Sequence, residues 1–210
     1  MLEKRLIQQL TETYQTTADN VIREYFQHLF LAELYQQKGS DRFLFKGGTA
    51  LRIVWQSPRF SEDLDFTGVN LSIKSIEATM EDTLGKIELS GIETKIDESK
   101  ATSGGYLGIF NFQTGEYRSH VQIEVSLRKE KKVGATAALI QSDFAPAYTL
   151  IHLNEETLVG EKIQACLARA KARDFYDLYF ILRARMAFQE VFIKDTTLKS
   201  ALIRAVMKKE

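Results

Sequence analysis

The chain has 210 residues, of which 44% are hydrophobic, 27% charged and 10% aromatic, a composition that excludes intrinsic disorder and low complexity. Its 28 basic residues balance 28 acidic ones, so no global field draws it to nucleic acid or to a membrane, and any such binding has to come from a local patch. One cysteine, Cys166, excludes an internal disulfide and a cysteine-rich zinc site. The charged opening MLEKRLIQQLTETYQ lacks the apolar core of a signal peptide, and every apolar run stops well short of the ~20 residues of a membrane span. The expectation is a cytoplasmic protein with one domain and an appendage, or two small domains.

The stretch up to about Gln37 reads as helical, with Leu6, Leu10 and Tyr14 on one face and Val21, Ile22, Tyr25, Phe26, Leu29, Phe30 and Leu34 continuing the spacing. Gly39 reads as the glycine just past that helix. Phe43-Leu44-Phe45 is a short strand broken by Gly47-Gly48, and Thr49 reads as the cap of a helix over ALRIVWQ. After Pro58, Asp63 to Phe66 alternates as a strand does, and Ser72 to about Leu89 is helical. Ile92 to Ile96, Tyr106 to Phe112 and Tyr117 to Leu127 read as strands separated by glycine-bearing turns at Gly104-Gly105 and Gly115. From about Glu155 the pattern is helical: Leu158 to Ala170, Asp174 to Arg185 and Thr197 to Met207. The layout is α, then mixed α/β, then α, with the softest boundary near 130 to 147. Domains are expected over 1–140 and 141–210.

The densest chemical signal is KGGTAL at 46–51 followed by RFSEDLDF at 59–66. A strand that runs through two glycines into a helix lets backbone approach a ligand closely, and the free N–H groups of the helix start suit a phosphate. The turn is neither a Walker A loop nor a G-x-G-x-x-G fingerprint, and alone it is equally an ordinary strand-to-helix turn. Asp63 and Asp65 add to it. Two apart on a strand, they face the same side about 6–7 Å from each other and can share one hard divalent cation, with Leu64 and Phe66 turned into the core. Two like charges on a bare strand face would otherwise repel. Glu124 alternates with Ile123 and Val125 and joins the pair if its strand is the neighbour, to hold a metal or take a proton from an attacking hydroxyl.

These residues resemble the nucleotidyltransferase superfamily that includes DNA polymerase β. The wording is most similar to the AbiEii-type nucleotidyltransferases, the toxins of type IV toxin–antitoxin systems. Glu161 to Ala165, and then Arg169 to Leu178 with its R-D-x-x-D run, match that family's later motifs, so the resemblance covers roughly residues 44 to 180. It implies an α+β fold, a mixed-sheet core flanked by helices with a helical C-terminal half that completes an active-site cleft. It implies transfer of a nucleoside monophosphate from an NTP, with Mg²⁺, to an RNA end such as tRNA, and a cognate antitoxin encoded alongside. By the same resemblance Gly47, Gly48, Thr49, Arg59 and Ser61 bind the nucleotide, and Asp63, Asp65 and Glu124 bind metal. Lys162 meets the triphosphate, and Asp174 and Asp177 complete the site. A transferase acting on a small molecule or a protein side chain, or a nucleotide-binding module without catalysis, are the alternatives.

Read without the resemblance, Lys162 is a partly exposed helix lysine of little consequence for folding, and Asp174 caps the helix that begins there with Asp177 in its first turn. Arg173 is a partner for either aspartate or for an RNA backbone. His28, His120 and His152 lack metal-ligand spacing, and His120 is expected at the surface. Trp55, Phe175, Tyr176, Tyr179 and Phe180 fall at core spacing, with Tyr176 the one open to contact with a base. Cys166 reads as a small buried apolar residue. The basic run Arg128 to Lys132 is a solvated connection or a contact for acceptor RNA.

Overall fold

The computed structural model describes residues 2–129, 133–169 and 171–187. The helix expected over Thr197–Met207 and positions 130–132 of the charged run lie outside them. Two compact units divide the chain, Met1–His152 and Leu153–Glu210. No described helix is long and apolar enough to cross a membrane.

The first unit opens with two helices, α1 (Lys4–Tyr14) and α2 (Ala18–Leu34). They are separate because Gln15 turns left-handed at φ 50° and the Thr17 hydroxyl caps α2 by accepting from the Asn20 N–H. Gly39 does not close α2, which ends five residues earlier; its φ of 82° instead turns the chain into a short 3-10 turn at Ser40–Arg42. Strand β1 (Phe43–Lys46) leads directly into α3 (Gly47–Trp55), followed by β2 (Asp63–Val69), α4 (Ile73–Leu89), β3 (Glu93–Thr102), β4 (Gly105–Thr114) and β5 (Tyr117–Arg128). Two more strands, β6 (Ala135–Ile140) and β7 (Tyr148–Leu153), occupy a stretch in which the sequence pattern announces no element.

The described strands form one mixed sheet in the order β3-β4-β5-β2-β1-β7-β6. β2 runs antiparallel to β1 and parallel to β5, so β2 lies at the centre with a carboxylate-bearing neighbour on one side and the Gly-Gly turn on the other. One face of the sheet is covered by α2 and α4. Its core is aromatic: Phe26 stacks on Phe112 at 5.3 Å, Phe30 lies 6.0 Å from Phe110, and Phe45 5.4 Å from Phe66, all fully or almost fully buried. The period-2 alternation of β2 and β5 sends Leu64, Phe66, Ile123 and Val125 into this core. The residues between them face the other way.

The apolar face of α2 also carries three buried polar residues, Glu24, Gln27 and His28. Glu24 accepts from Arg52 Nε at 3.2 and 3.1 Å through its two oxygens, and the guanidinium lies 4.0 Å from the Phe60 ring and 4.8 Å from that of Tyr14. His28 Nδ1 is 2.9 Å from the Tyr148 hydroxyl, which ties α2 to β7. Burial, with the charge of Arg52 nearby, pushes His28 down to about 4. The Glu24 carboxylate at 3.9 Å is too distant to reverse this, being itself engaged by Arg52. In the unfolded chain the same imidazole titrates near about 6.5. Between these values the unfolded state binds the extra proton, so stability falls as pH drops from about 6.5 toward 4. Replacing His28 by Gln is expected to flatten that part of the curve of melting temperature against pH, and an unchanged slope would show that other groups set it.

In the second unit the described helices are α5 (Glu155–Arg169) and α6 (Ala172–Arg183). Leu158, Val159, Ile163, Cys166, Leu178 and Ile181 are buried between and around them, Cys166 fully. The expectation that the α6 aromatics are core is corrected for Tyr179, and Tyr176, left open, is exposed as well. Tyr176 and Tyr179 are 39% and 56% exposed, because Asp174, Asp177, Leu178 and Ile181 take the inward positions.

Candidate active site

The site begins with a backbone requirement. Gly47 has φ 83°, a conformation that L side chains rarely adopt, and a Cβ there would overlap the Asp65 carboxylate. At Gly48 a Cβ would overlap the guanidinium of Arg59 and the hydroxyl of Ser61. Both glycines are therefore needed for close approach: the missing side chains are the space into which three polar groups from beyond α3 are packed. The first turn of α3 begins at these glycines, and the first N–H groups of any helix have no partner within it.

Thr49 is not the cap of α3. The helix starts at Gly47 with Lys46 in the capping position, and Thr49, 1% exposed, donates its hydroxyl to the carbonyl of Asp63 at 2.5 Å. Its side chain is thus a tie between α3 and the first residue of β2, and only its backbone N–H is left to meet a ligand. Lys46, not among the residues expected in the site, stands in register opposite Asp65 across the β1–β2 pair. The signal was there, a lysine directly before the two glycines.

Asp63 and Asp65 occupy alternate positions on β2 and share the face turned from the core. Parallel pairing sets Asp65 opposite Glu124, and Asp63 opposite Gln122. The structure thus brings the third carboxylate to the same sheet face, one strand away. The Glu124 side chain is exposed and accepts from Gln122 Nε2 at 2.7 Å. Among the described residues no three His, Cys, Asp or Glu side chains are gathered as a ready metal cluster. The donor set nevertheless fits a magnesium ion. Mg²⁺ is commonly held by one or two carboxylates, with water and substrate phosphates completing its shell. Here a carboxylate is packed directly against the glycine that opens a helix N-terminus.

The residues expected to act from the second unit have firm structural partners there. Lys162 is 8% exposed, and its Nζ donates to Asp177 Oδ2 at 2.8 Å, with Asp177 only 2% exposed. It is not a solvated lysine. Asp174, 1% exposed, accepts from Arg169 Nε at 3.2 and 3.1 Å, from its terminal nitrogen at 2.9 Å, and from the Lys171 N–H at 3.1 Å. Asp174 is therefore inside the first turn of α6, reaching back to the residue before the helix, and does not itself occupy the capping position. The forked guanidinium comes from Arg169, while Arg173 acts on the same carboxyl through its charge. Burial alone raises the Asp174 carboxyl, but the Arg169 hydrogen bonds and the Lys171 N–H outweigh it and hold the group below the usual carboxylate range.

Comparison with known proteins agrees with this architecture. MenT4, a nucleotidyltransferase toxin from Mycobacterium tuberculosis, superposes with a TM-score of 0.66 at 23% identity, covering 85% of this chain and 63% of its own. The chain thus spans less than two thirds of MenT4. JHP933 from Helicobacter pylori superposes with a TM-score of 0.58 at 23% identity, over 88% of this chain and 73% of that one. At such identities the likeness is one of fold. No curated protein matches the chain. The chain thus shares its fold with a nucleotidyltransferase. The family model for the AbiEii nucleotidyl transferase toxins of type IV toxin–antitoxin systems matches residues 29–209, and the chain belongs to that family.

Two stability tests follow from these contacts. Gly47→Ala is expected to destabilise the protein by more than the about 1–2 kcal/mol of a left-handed alanine, because the methyl group also displaces Asp65. A melt equal to wild type would mean that the turn can relax. Lys162→Ala leaves the Asp177 charge buried and is expected to cost about 3–5 kcal/mol, whereas the double change Lys162→Met with Asp177→Leu recovers most of the loss. If Lys162→Ala melts as wild type does, the ion pair contributes nothing to the fold.

Proposed function

We propose that the chain is a magnesium-dependent nucleotidyltransferase that moves a nucleoside monophosphate from an NTP to a hydroxyl at an RNA end, with tRNA the first acceptor to test. We infer that it acts in the cytoplasm as a toxin silenced by a cognate antitoxin. The observation that carries the reading is the packing at the Gly-Gly turn: the Asp65 carboxylate against Gly47, with Arg59 and Ser61 against Gly48, beside the start of α3. Family membership supports the same reaction class.

In this reading the N–H groups of Gly47, Gly48 and Thr49 and the Arg59 guanidinium hold the β- and γ-phosphates, and Ser61 adds a hydroxyl donor. Asp63 and Asp65 hold the magnesium ion, which when bound supplies charge neutralisation on the phosphates and a lowered pKa for the attacking hydroxyl. The acceptor oxygen bonds to the α-phosphorus as the bond to the β-phosphate oxygen breaks and pyrophosphate leaves. Glu124, on the same sheet face as Asp65, is assigned the hydroxyl proton. Lys162, Asp174 and Asp177 are assigned supporting roles toward the triphosphate, and the variants of Lys162 and Asp177 described above separate those roles from packing.

Incubation with each labelled NTP, Mg²⁺ and total RNA, resolved on a gel, tests the reaction. Label in RNA supports it, label on protein or on a small molecule redirects the acceptor, and no transfer with any NTP overturns it. Asp63→Asn and Asp65→Asn are each expected to lower transfer by about a hundredfold or more while the protein still folds, because each removes one carboxylate of a like-charged pair. Full activity in either variant rules out the metal assignment.

A further inference from the structure

The segment 56–62 between α3 and β2 carries both Arg59 and Ser61, yet it has no regular secondary structure of its own. It is held from α3 at its start and from α2 at its end. At its start, Arg52 donates to the Ser57 carbonyl at 3.1 Å while being held by Glu24 and flanked by Phe60. At its end, Gln27 Nε2 donates to the carbonyls of both Ser61 and Glu62, at 3.0 and 2.9 Å. Gln27 is 2% exposed. Both of its partners are pure acceptors, so the orientation of the amide is decided: its nitrogen faces the loop, and its two hydrogens match two carbonyls. These are the last two peptide units before Asp63. A side chain buried on the apolar side of α2 thereby sets where β2 begins, and where the Ser61 hydroxyl and the Arg59 guanidinium lie against Gly48.

We propose that Gln27 is a positioning residue for the phosphate end of the site, acting through Arg59 and Ser61. The assignment rests on the nucleotidyltransferase reading and extends it to a residue that touches no substrate. With the amide removed, two carbonyls in a closely packed loop lose their donor, and the loop relaxes away from Gly48. A displacement of that size at a phosphate clamp is felt in binding, whereas a residue serving only the core would alter stability alone.

The test uses Gln27→Met, similar in length but without a donor, and Gln27→Glu, which keeps the shape and places an acceptor against two acceptors. Each is measured alone and in an Arg59→Ala background, at a temperature where all variants are folded. Binding of inorganic tripolyphosphate with Mg²⁺ is followed by calorimetry, and KM and kcat are measured for whichever NTP is transferred. Both Gln27 variants are expected to weaken tripolyphosphate binding and raise KM by about tenfold with a smaller change in kcat. In the Arg59→Ala background the further loss is expected to be clearly smaller than about tenfold, since one of the two groups through which Gln27 acts is already gone and only Ser61 remains. Unchanged binding in folded variants, or the same tenfold loss in both backgrounds, overturns the positioning role while the nucleotidyltransferase reading stands. If wild type neither binds tripolyphosphate nor transfers from any NTP, that reading fails and this one with it. If Gln27→Met does not fold, Gln27→Glu and the hydrogen exchange of residues 57–63 decide the matter: exchange in that segment must quicken while the interior of α2 stays protected.

Discussion

The absence of two side chains, at Gly47 and Gly48, is the constraint on which the rest of this site depends. A strand followed at once by a helix that opens on a left-handed glycine leaves a hollow at the helix start. β2 and the loop before it fill that hollow with a carboxylate, a guanidinium and a hydroxyl. No larger residue permits the same arrangement, because the atoms that a Cβ would meet are the polar groups themselves. The helix dipole and its free amides favour negative charge at this point, while Asp63 and Asp65 do not, so a cation and an anionic ligand together complement the site better than either alone.

A second layer sits behind this turn. α2 packs its aromatic side chains on β4 and the rest of the sheet, but Glu24, Gln27 and His28 share the buried part of its surface. Each is fully engaged: Glu24 with Arg52, Gln27 with two loop carbonyls, His28 with Tyr148. Polar groups in such a place destabilise unless their hydrogen bonds are satisfied, and satisfied ones hold a single geometry. The same logic appears in the second unit, where Lys162 with Asp177 and Arg169 with Asp174 lock α5 to α6. These motif residues carry the packing of that unit whatever else they do.

Much of this was legible in the chain. The alternation in Asp63 to Phe66 and in Val121 to Leu127 assigns faces correctly, since a period of two leaves no other choice for strands with one buried side. The strand, glycine pair and helix at 43–55 could be read from residue types alone, as could the turns at Gly104-Gly105 and Gly115. What misled was capping. Thr49 and Asp174 are good capping residues by type, but both are the third residue of their helices, where their side chains serve a neighbouring strand and the preceding backbone. Exposure misled as well: Lys162 was read by the average behaviour of lysine, and Tyr179 by that of aromatics.

The sequence by itself determined the glycine-bearing turns, the facing of β2 and β5 and the family, because glycine conformation, period and motif order are properties of adjacent residues. Only the tertiary structure decided that β2 lies between β1 and β5, which sets Asp65 opposite both Lys46 and Glu124. It alone decided that Gln27, 34 and 35 residues away, holds the loop carrying Arg59 and Ser61. Strand order and buried hydrogen bonds join residues far apart in the chain. The free energy that selects them belongs to the assembled core, where an unpaired polar group has no water to turn to.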